Sequence, residues 1–539
     1  MRKAIWKRGA AVLAAGSLLF AAAGCGKSEE ETANANVEDF TYGEDELSFT
    51  WYDNSDTAAA TIWADTSIPE KWIQENKKVN IKYMDPGGAS AEKLATMIAS
   101  DSFPDLMTML RGQDTEKLIA AKKVVPINEY MDKYTVMRDD LGGAGILKLF
   151  EQPDGKIYEI PNWANAAGKP NGNNAWVVNT KFYNELGRPE IKTLDDFYNY
   201  LKAVKEAYPD VIPYETTDVF QGERYVLAAM AEEMPPDMLD YFAYVDGDSL
   251  KSIFKHPAYR ETMLFLNKLF REKLMTQDAF SQTADQVKEK LANCKVAVTT
   301  SAISACENTR ADLQKFGADW ETITPPMKEG LDREKTYSQG YDRMGWTELL
   351  ISKDAKNPEG IYAYLDWVYS PEGQRLFNYG PQGMYYDEVT PEGYPILKES
   401  WFTTADPAKE LKGNGGYAGL GNTSYVDAAG IYVDENAPAD KQSWGKKQQL
   451  TNIWPYAKDI SEFSGIIPGA ATDEGLIYQT VTDLHKQARA KILFAENEDE
   501  VNRLIDSLIA DTDKAGIDKL LAAEEQAWKE NKEKLGISQ

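Results

Sequence analysis

Histidine is nearly absent from this chain of 539 residues: His256 and His485 are the only two, far apart and outside any H-E-x-x-H or other His-based metal pattern, which makes zinc hydrolysis a weak reading. Cysteine is almost as scarce. Cys294 and Cys306 stand 12 positions apart and either pair or sit as two small buried side chains; neither arrangement would dominate a body with its own large core. Cations are outnumbered, 59 Lys and Arg against 86 Asp and Glu, so the formal charge is -27. That balance removes the electrostatic footprint of a nucleic-acid binder and makes anionic lipid a poor partner for the body of the protein. No G-x-S-x-G elbow, metal-ligand pattern or phosphate loop occurs, so no positive sign of catalysis is written in the chain. Beyond the first residues there is no apolar run long enough to cross a bilayer.

What the chain does have is material for a core: 43% hydrophobic and 11% aromatic residues, with 13 Trp and 29 Tyr. At about 150 residues per domain, this length suits three domain-sized units or two large lobes. The N-terminus reads as an export signal. Arg2, Lys3, Lys7 and Arg8 precede an apolar run over 10–23, and Ala22, Ala23 and Gly24 stand before Cys25. This resembles a bacterial lipobox with Ala22 where Leu is usual. The expectation is a signal peptide over 1–24, lipid on Cys25 and a flexible tether over 25–45. The protein would then sit on the extracellular face of the cytoplasmic membrane, held through its lipid anchor only.

Leu47, Phe49 and Trp51 alternate with polar residues as in a strand, and 79–83 reads as a second. A helical stretch through Trp63 and Trp72 lies between them, a helix with Leu94, Met97 and Ile98 on one face follows, and 103–109 reads as a third strand. This alternation predicts an α/β fold with a parallel sheet, whose ligands bind outside the carboxyl ends of the strands. Strand-like runs recur at 176–179 and 295–300. Thr193 and Asp196 form a capping-box pattern, Asn357 and Pro358 open another helix, and two amphipathic helices close the chain. No fixed-period repeat appears.

Several phrases, in order, resemble the extracellular solute-binding proteins of ABC importers, family 1, the maltose and oligosaccharide binders, and within it the long Gram-positive lipoproteins. They are EKLATMIAS at 92–100 leading into FPDL at 103–106, VPINEY at 125–130, DGKIYEIP at 154–161 and KTLDDF at 192–197. LIS at 350–352, NPE at 357–359, SPEG at 370–373 and YGPQGMY at 379–385 complete the series. The likeness covers most of 47–390. It implies a two-lobed fold of the periplasmic-binding-protein type, with a hinged cleft and extra C-terminal helices. Lobe one would be 46–163 plus 341–390, and lobe two 164–340 plus 391–539. It also implies a monomer without enzymatic activity that captures an oligosaccharide or other polar solute and delivers it to membrane permease subunits. No cofactor is expected. Some alginate-binding relatives carry a calcium loop after the helix matching 195–207; here 208–213 reads YPDVIP and lacks the ligand spacing, so no metal is expected.

A sugar presents hydroxyls at its edge and a flat C–H face, so its site pairs aromatic planes with fixed polar groups. If each indole covers about 60 Å² of apolar sugar surface, it contributes about 1.5 kcal/mol, and three fall short of the roughly 8 kcal/mol of micromolar binding. Polar contacts and closure must supply the rest. The expected ligand-binding residues are Asp53, Asn54, Arg111, Trp163, Trp176, Tyr341, Trp346 and Glu348, at strand ends or at crossings between lobes. For each aromatic the competing role is core packing, and for Asp53 and Arg111 a surface charge. A membrane-anchored glycosidase using two carboxylates is the alternative function.

Overall fold

The structure is a computed structural model that describes residues 40–54, 61–217, 219–413 and 419–537. The expected signal peptide, Cys25 and most of the tether lie outside the described residues. The tether's expected end at 45 is too late. Thr41–Asp45 already form a hydrogen-bonded turn, and the Tyr42 ring packs 5.9 Å from Trp367. No helix among the described residues is long and apolar enough to cross a membrane.

In chain order the strands are β1 (Leu47–Asp53), β2 (Val79–Met84), β3 (Leu106–Leu110), β4 (Glu159–Asn162), β5 (Asn174–Asn179), β6 (Ile212–Thr216), β7 (Ala243–Asp246) and β8 (Ser249–Ser252). They continue with β9 (Val296–Ala302), β10 (Trp320–Ile323), β11 (Gln339–Tyr341), β12 (Thr347–Ile351), β13 (Tyr386–Val389), β14 (Pro395–Leu397) and β15 (Ala457–Asp459). A five-stranded sheet of order β2-β1-β3-β12-β4 builds lobe one, and a four-stranded sheet of order β10-β5-β9-β6 builds lobe two. The first is mixed rather than parallel throughout: β1, β2 and β3 run together, while β12 is antiparallel to both β3 and β4.

The period-two pattern sets the faces of the first sheet. Leu47, Phe49 and Trp51 point to one side, where Phe49 meets Tyr364 at 5.8 Å. Tyr52, Met107, Met109 and Leu350 point to the other, under Leu94 and Leu118. The first helix begins at Ile68 rather than Trp63, because Ser67 caps it and Pro69 occupies its first turn. Ile98, expected on a buried face, is 42% exposed. The capping box at Thr193 and Asp196 forms as read, and Asn357 caps the helix Pro358–Tyr369, whose Ile361, Tyr364, Leu365 and Val368 are buried.

The C-terminal part divides between the lobes, which corrects the boundary expected at 391. Tyr379, Tyr386, Tyr425 and Ala429 form one cluster, and the helix Pro407–Lys412 packs on Ile68–Lys77 and Pro371–Tyr379. Residues 391–413 and 419–435 therefore build lobe one. Beyond them, Ile453, Phe463, Val481, Ile492, Ile505, Leu520 and Trp528 share one core with Val177, Val298 and Leu266, so the last helices build lobe two. Cys294 and Cys306 are free and buried in that same core, and burial raises the Cys306 thiol to about 12.

Candidate ligand-binding cleft and hinge

Strand direction decides which edges face each other. Thr347 pairs with Leu110 and with Asn162, so the carboxyl ends of β1, β3 and β4 and the start of β12 share one edge of the first sheet. In the second sheet Asn174 pairs with Ala302, Thr216 with Thr300 and Ile323 with Trp176, which gathers the ends of β6, β9 and β10 beside the start of β5. Residues 163–173 run directly from the end of β4 to the start of β5. The short link joins these two edges, and the cleft lies between them.

Four chain segments lie side by side as the hinge. β15 pairs with β11 in parallel, Ile460 N donates to Tyr341 O at 3.0 Å, and Asn165 N donates to Arg343 O at 2.8 Å. On the far side Trp163 N donates to Gly421 O at 2.9 Å and Thr423 N to Ala164 O at 3.0 Å. Trp163 holds a left-handed φ of 62°, a strained choice for a bulky residue. Both its backbone groups are tied down, since Thr423 Oγ1 also donates to its carbonyl at 2.7 Å. Its ring lies so close over Gly421 that a Cβ there would come within 2.3 Å of it. Gly345, at φ 76°, turns the chain into β12; a Cβ on it would stand 1.9 Å from the Asn162 carbonyl oxygen.

Of the residues expected to touch ligand, four lie partly or fully open at this edge. Trp346 is 61% exposed, and Leu110, which the sequence reading passed over, is 65% exposed on the strand paired with β12. Asp53 and Asn54 end β1 half-buried; Asn54 Oδ1 accepts from Tyr52 Oη at 2.8 Å. Trp163 is half-buried at the crossing.

The other four are enclosed by protein groups. Trp176 is 1% exposed and stacks on Tyr214 at 6.1 Å with Phe197 edge-on at 5.1 Å, so it is a core residue of lobe two. Tyr341 is buried in the hinge, where its hydroxyl donates to Gly168 O at 3.3 Å. Arg111 turns away from open surface: Nη1 and Nη2 donate to the carbonyls of Gly345 at 2.8 Å and Met344 at 2.9 Å. Glu348 is fully buried, its carboxylate 3.4 Å from Arg111 Nε. Arg111 and Glu348 hold the hinge turn to the first sheet.

Around this one guanidinium stand several acids. Asp342 is 3.5 Å from Nη1. Burial, and then the Glu348 carboxylate, push Glu159 well above the usual carboxylate range; the same two causes raise Glu116. One cation stands among several carboxylates here, which favours the protonated form of the buried Glu159. Glu348, opposite Met109, and Glu159, opposite Leu350, are buried on the Met107 and Met109 side of the first sheet, whereas Glu116 is exposed and Asp342 half-buried.

The facing edge brings residues that no sequence pattern had marked. Gln339 Oε1 accepts from Asn174 N at 3.0 Å, and Gln449 Nε2 donates to Asn173 Oδ1 at 2.6 Å. Gln113, after β3, reaches Pro468 O of the C-terminal part at 3.3 Å. Single polar residues in loops carry no periodicity, so only the fold could bring them together. Among the described residues no group of three or more His, Cys, Asp or Glu is arranged to hold a metal ion.

Two α/β lobes, a multi-stranded hinge and an open aromatic at the strand ends define a two-lobed binding protein. The chain belongs to the bacterial extracellular solute-binding proteins, whose family profile matches residues 60–375. It is 24% identical over 240 residues to the lipoprotein LipO of Bacillus subtilis (strain 168), covering 43% of this chain and 45% of LipO; it thus spans less than half of that relative's length. It is 21% identical over 365 residues to the polygalacturonan/rhamnogalacturonan-binding protein YtcQ of the same organism, covering 64% of this chain and 69% of YtcQ. Among solved structures, the S. pneumoniae ABC-transporter substrate-binding protein FusA in complex with kestose superposes with a TM-score of 0.68 at 17% identity, over 90% of this chain and 99% of that one.

Proposed function

We propose that this protein is the substrate-binding component of an ABC importer, which takes a saccharide into the interlobe cleft and presents it to membrane permease subunits. The observation that carries the reading is Trp346. It is 61% exposed one residue before Thr347, which pairs with the 65% exposed Leu110, so two large apolar side chains are open at these strand ends. Asp53, Asn54 and Trp163 share that edge and supply hydroxyl partners and a second ring. YtcQ, a polygalacturonan/rhamnogalacturonan-binding protein, and FusA, solved in complex with kestose, support a carbohydrate ligand. Likeness to LipO supports lipid anchoring on Cys25 at the extracellular face of the cytoplasmic membrane.

The protein would act as a monomer and without catalysis. A glycosidase needs two carboxylates flanking the sugar. The adjacent acids at this end of the sheet, Glu159 and Glu348, are shut in the core beside Arg111, which favours the binder. Incubation with oligosaccharides tests the reading directly. A thermal shift with the sugar recovered intact is expected, and cleaved products would replace it with the glycosidase. Small-angle scattering should show a smaller radius of gyration at saturation, because a hinged cleft closes on its ligand.

A further inference from the structure

Residues 163–173 carry one lobe into the other, and near the end of that link stands Asn171 followed by Gly172, the only Asn-Gly step among the described residues. Asparagine is a thermolabile residue, because its side-chain carbonyl carbon lies within reach of the next backbone nitrogen. Two things ordinarily hold the reaction back: a bulky following residue, and hydrogen bonds that keep the amide or the nitrogen occupied. Neither guard is present here. Gly172 has no side chain to stand in the way, and among the described residues its N finds no acceptor and the Asn171 amide no partner. The neighbouring asparagines are held: Asn165 Nδ2 donates to Lys169 O at 2.8 Å, and Asn173 Oδ1 accepts from Gln449 Nε2 at 2.6 Å.

The packing keeps the step in place. Gly172 has a φ of 130°, and a Cβ on it would stand 2.6 Å from Cγ of Gln339, whose Oε1 is already engaged with Asn174 N. A larger residue would dislodge Gln339. The Gly172 carbonyl accepts from Trp454 Nε1 at 3.1 Å and from Gln449 Nε2 at 3.4 Å. Asn171 and Gly172 are half-buried and follow the exposed Lys169 and Pro170, so water reaches them.

We propose that Asn171 is a site of spontaneous, irreversible modification that changes the link between the lobes. The Gly172 nitrogen gives up its proton and attacks Asn171 Cγ; a new C–N bond closes a succinimide ring, the Cγ–Nδ2 bond breaks, and Nδ2 takes up a proton and leaves as ammonia. Water then adds to one of the two ring carbonyls and opens its bond to nitrogen. No oxidant or reductant is needed. Opening at Cγ restores the ordinary main chain with Asp in place of Asn. Opening at the Asn171 main-chain carbonyl leaves the chain running through Cγ, a β-linked aspartate with a free carboxylate and one more C–C bond of about 1.5 Å in the link.

The consequence is mechanical and does not depend on which ligand the cleft takes. The link is pinned by Asn165 N on Arg343 O and again by Asn174 N on Gln339 Oε1. Added length between two fixed points displaces Gly172, whose carbonyl then gives up Trp454 and Gln449. The β-linked form has a looser crossing than the chain as synthesised.

Peptide mapping of the full-length protein aged in mildly alkaline buffer is the test. A gain of one mass unit is expected at Asn171 with Asn165, Asn173 and Asn174 intact, and electron-transfer fragmentation should show the β-linked form. Asn171→Gln, which would have to close a larger and less favourable ring, should age without that gain. The folded protein should convert within about threefold of the rate of the urea-unfolded chain, because no local opening has to precede the attack. An Asn171 that stays intact in the folded protein while converting in urea, or conversion spread equally over the neighbouring asparagines, overturns the proposal. The purified β-linked form should melt lower than Asn171→Asp, which carries the new charge without the added length, and should show a changed apo radius of gyration. A β-linked form that matches Asn171→Asp in both measurements overturns the effect on the hinge.

Discussion

Arg111 grips the turn at Gly345: its Nη1 donates to the Gly345 carbonyl at 2.8 Å while its Nε faces the buried Glu348 carboxylate at 3.4 Å. The side chain thereby ties the end of β3 to the second hinge crossing. Arg111→Ala leaves Glu348 buried without its cation and should lower unfolding free energy by about 3 kcal/mol, measured by urea titration. The double variant Arg111→Met with Glu348→Leu should recover most of that loss. A stable single variant with weakened ligand binding would instead return Arg111 to the ligand.

Two tryptophans should behave in opposite ways. Trp346→Ala removes an exposed ring and should weaken saccharide binding by about tenfold with the apo melting temperature held. Trp176→Ala empties the space between Tyr214 and Phe197 and should cost about 3–5 kcal/mol of stability. Thermal melts paired with calorimetry separate the two effects.

Gly345 admits no side chain. With φ at 76° and the Asn162 carbonyl 1.9 Å from an added Cβ, Gly345→Ala must push the second crossing off the first. The expected result is a loss of about 2 kcal/mol or more by urea titration, together with a changed apo radius of gyration in scattering.

Glu159 makes stability depend on pH. Because its proton is held more tightly in the folded chain than in the unfolded one, folding takes up a proton above the ordinary carboxylate range. Its contribution is fully present below about pH 4 and declines as pH rises towards the raised folded value. Glu159→Gln keeps the neutral form at every pH. The variant should melt higher than wild type at about pH 8 and close to it at about pH 4. An equal difference at both would mean that Glu159 does not titrate in this range.

Much of this molecule could be read before folding because the relevant signals are local. Thr193 with Asp196, and Asn357 with Pro358, write helix starts in residue types, and the alternation through Leu47, Phe49 and Trp51 writes a strand. The site was legible only in outline. Asp53, Asn54, Arg111, Trp163 and Trp346 fall on the expected edge, because strand ends follow from strand order. Which of them meet solvent does not: Arg111 donates to the Gly345 carbonyl and is drawn inward, while Trp346, the next residue, is 61% exposed. The same limit hid Leu110, indistinguishable in sequence from the buried Met109 before it. The C-terminal part was harder again, since its helices signal amphipathicity without naming the surface they cover.

The hinge has a consequence for how the chain is made. Its four segments are drawn from around 164, 341, 421 and 459, and the core of lobe two is finished only by Trp528. A nascent chain that has emerged as far as 390 owns every strand of both sheets, yet lacks half of the connector that joins them. Maturation therefore waits on the stretch beyond 390, and termination before it would yield a pair of unfinished bodies on a slack joint.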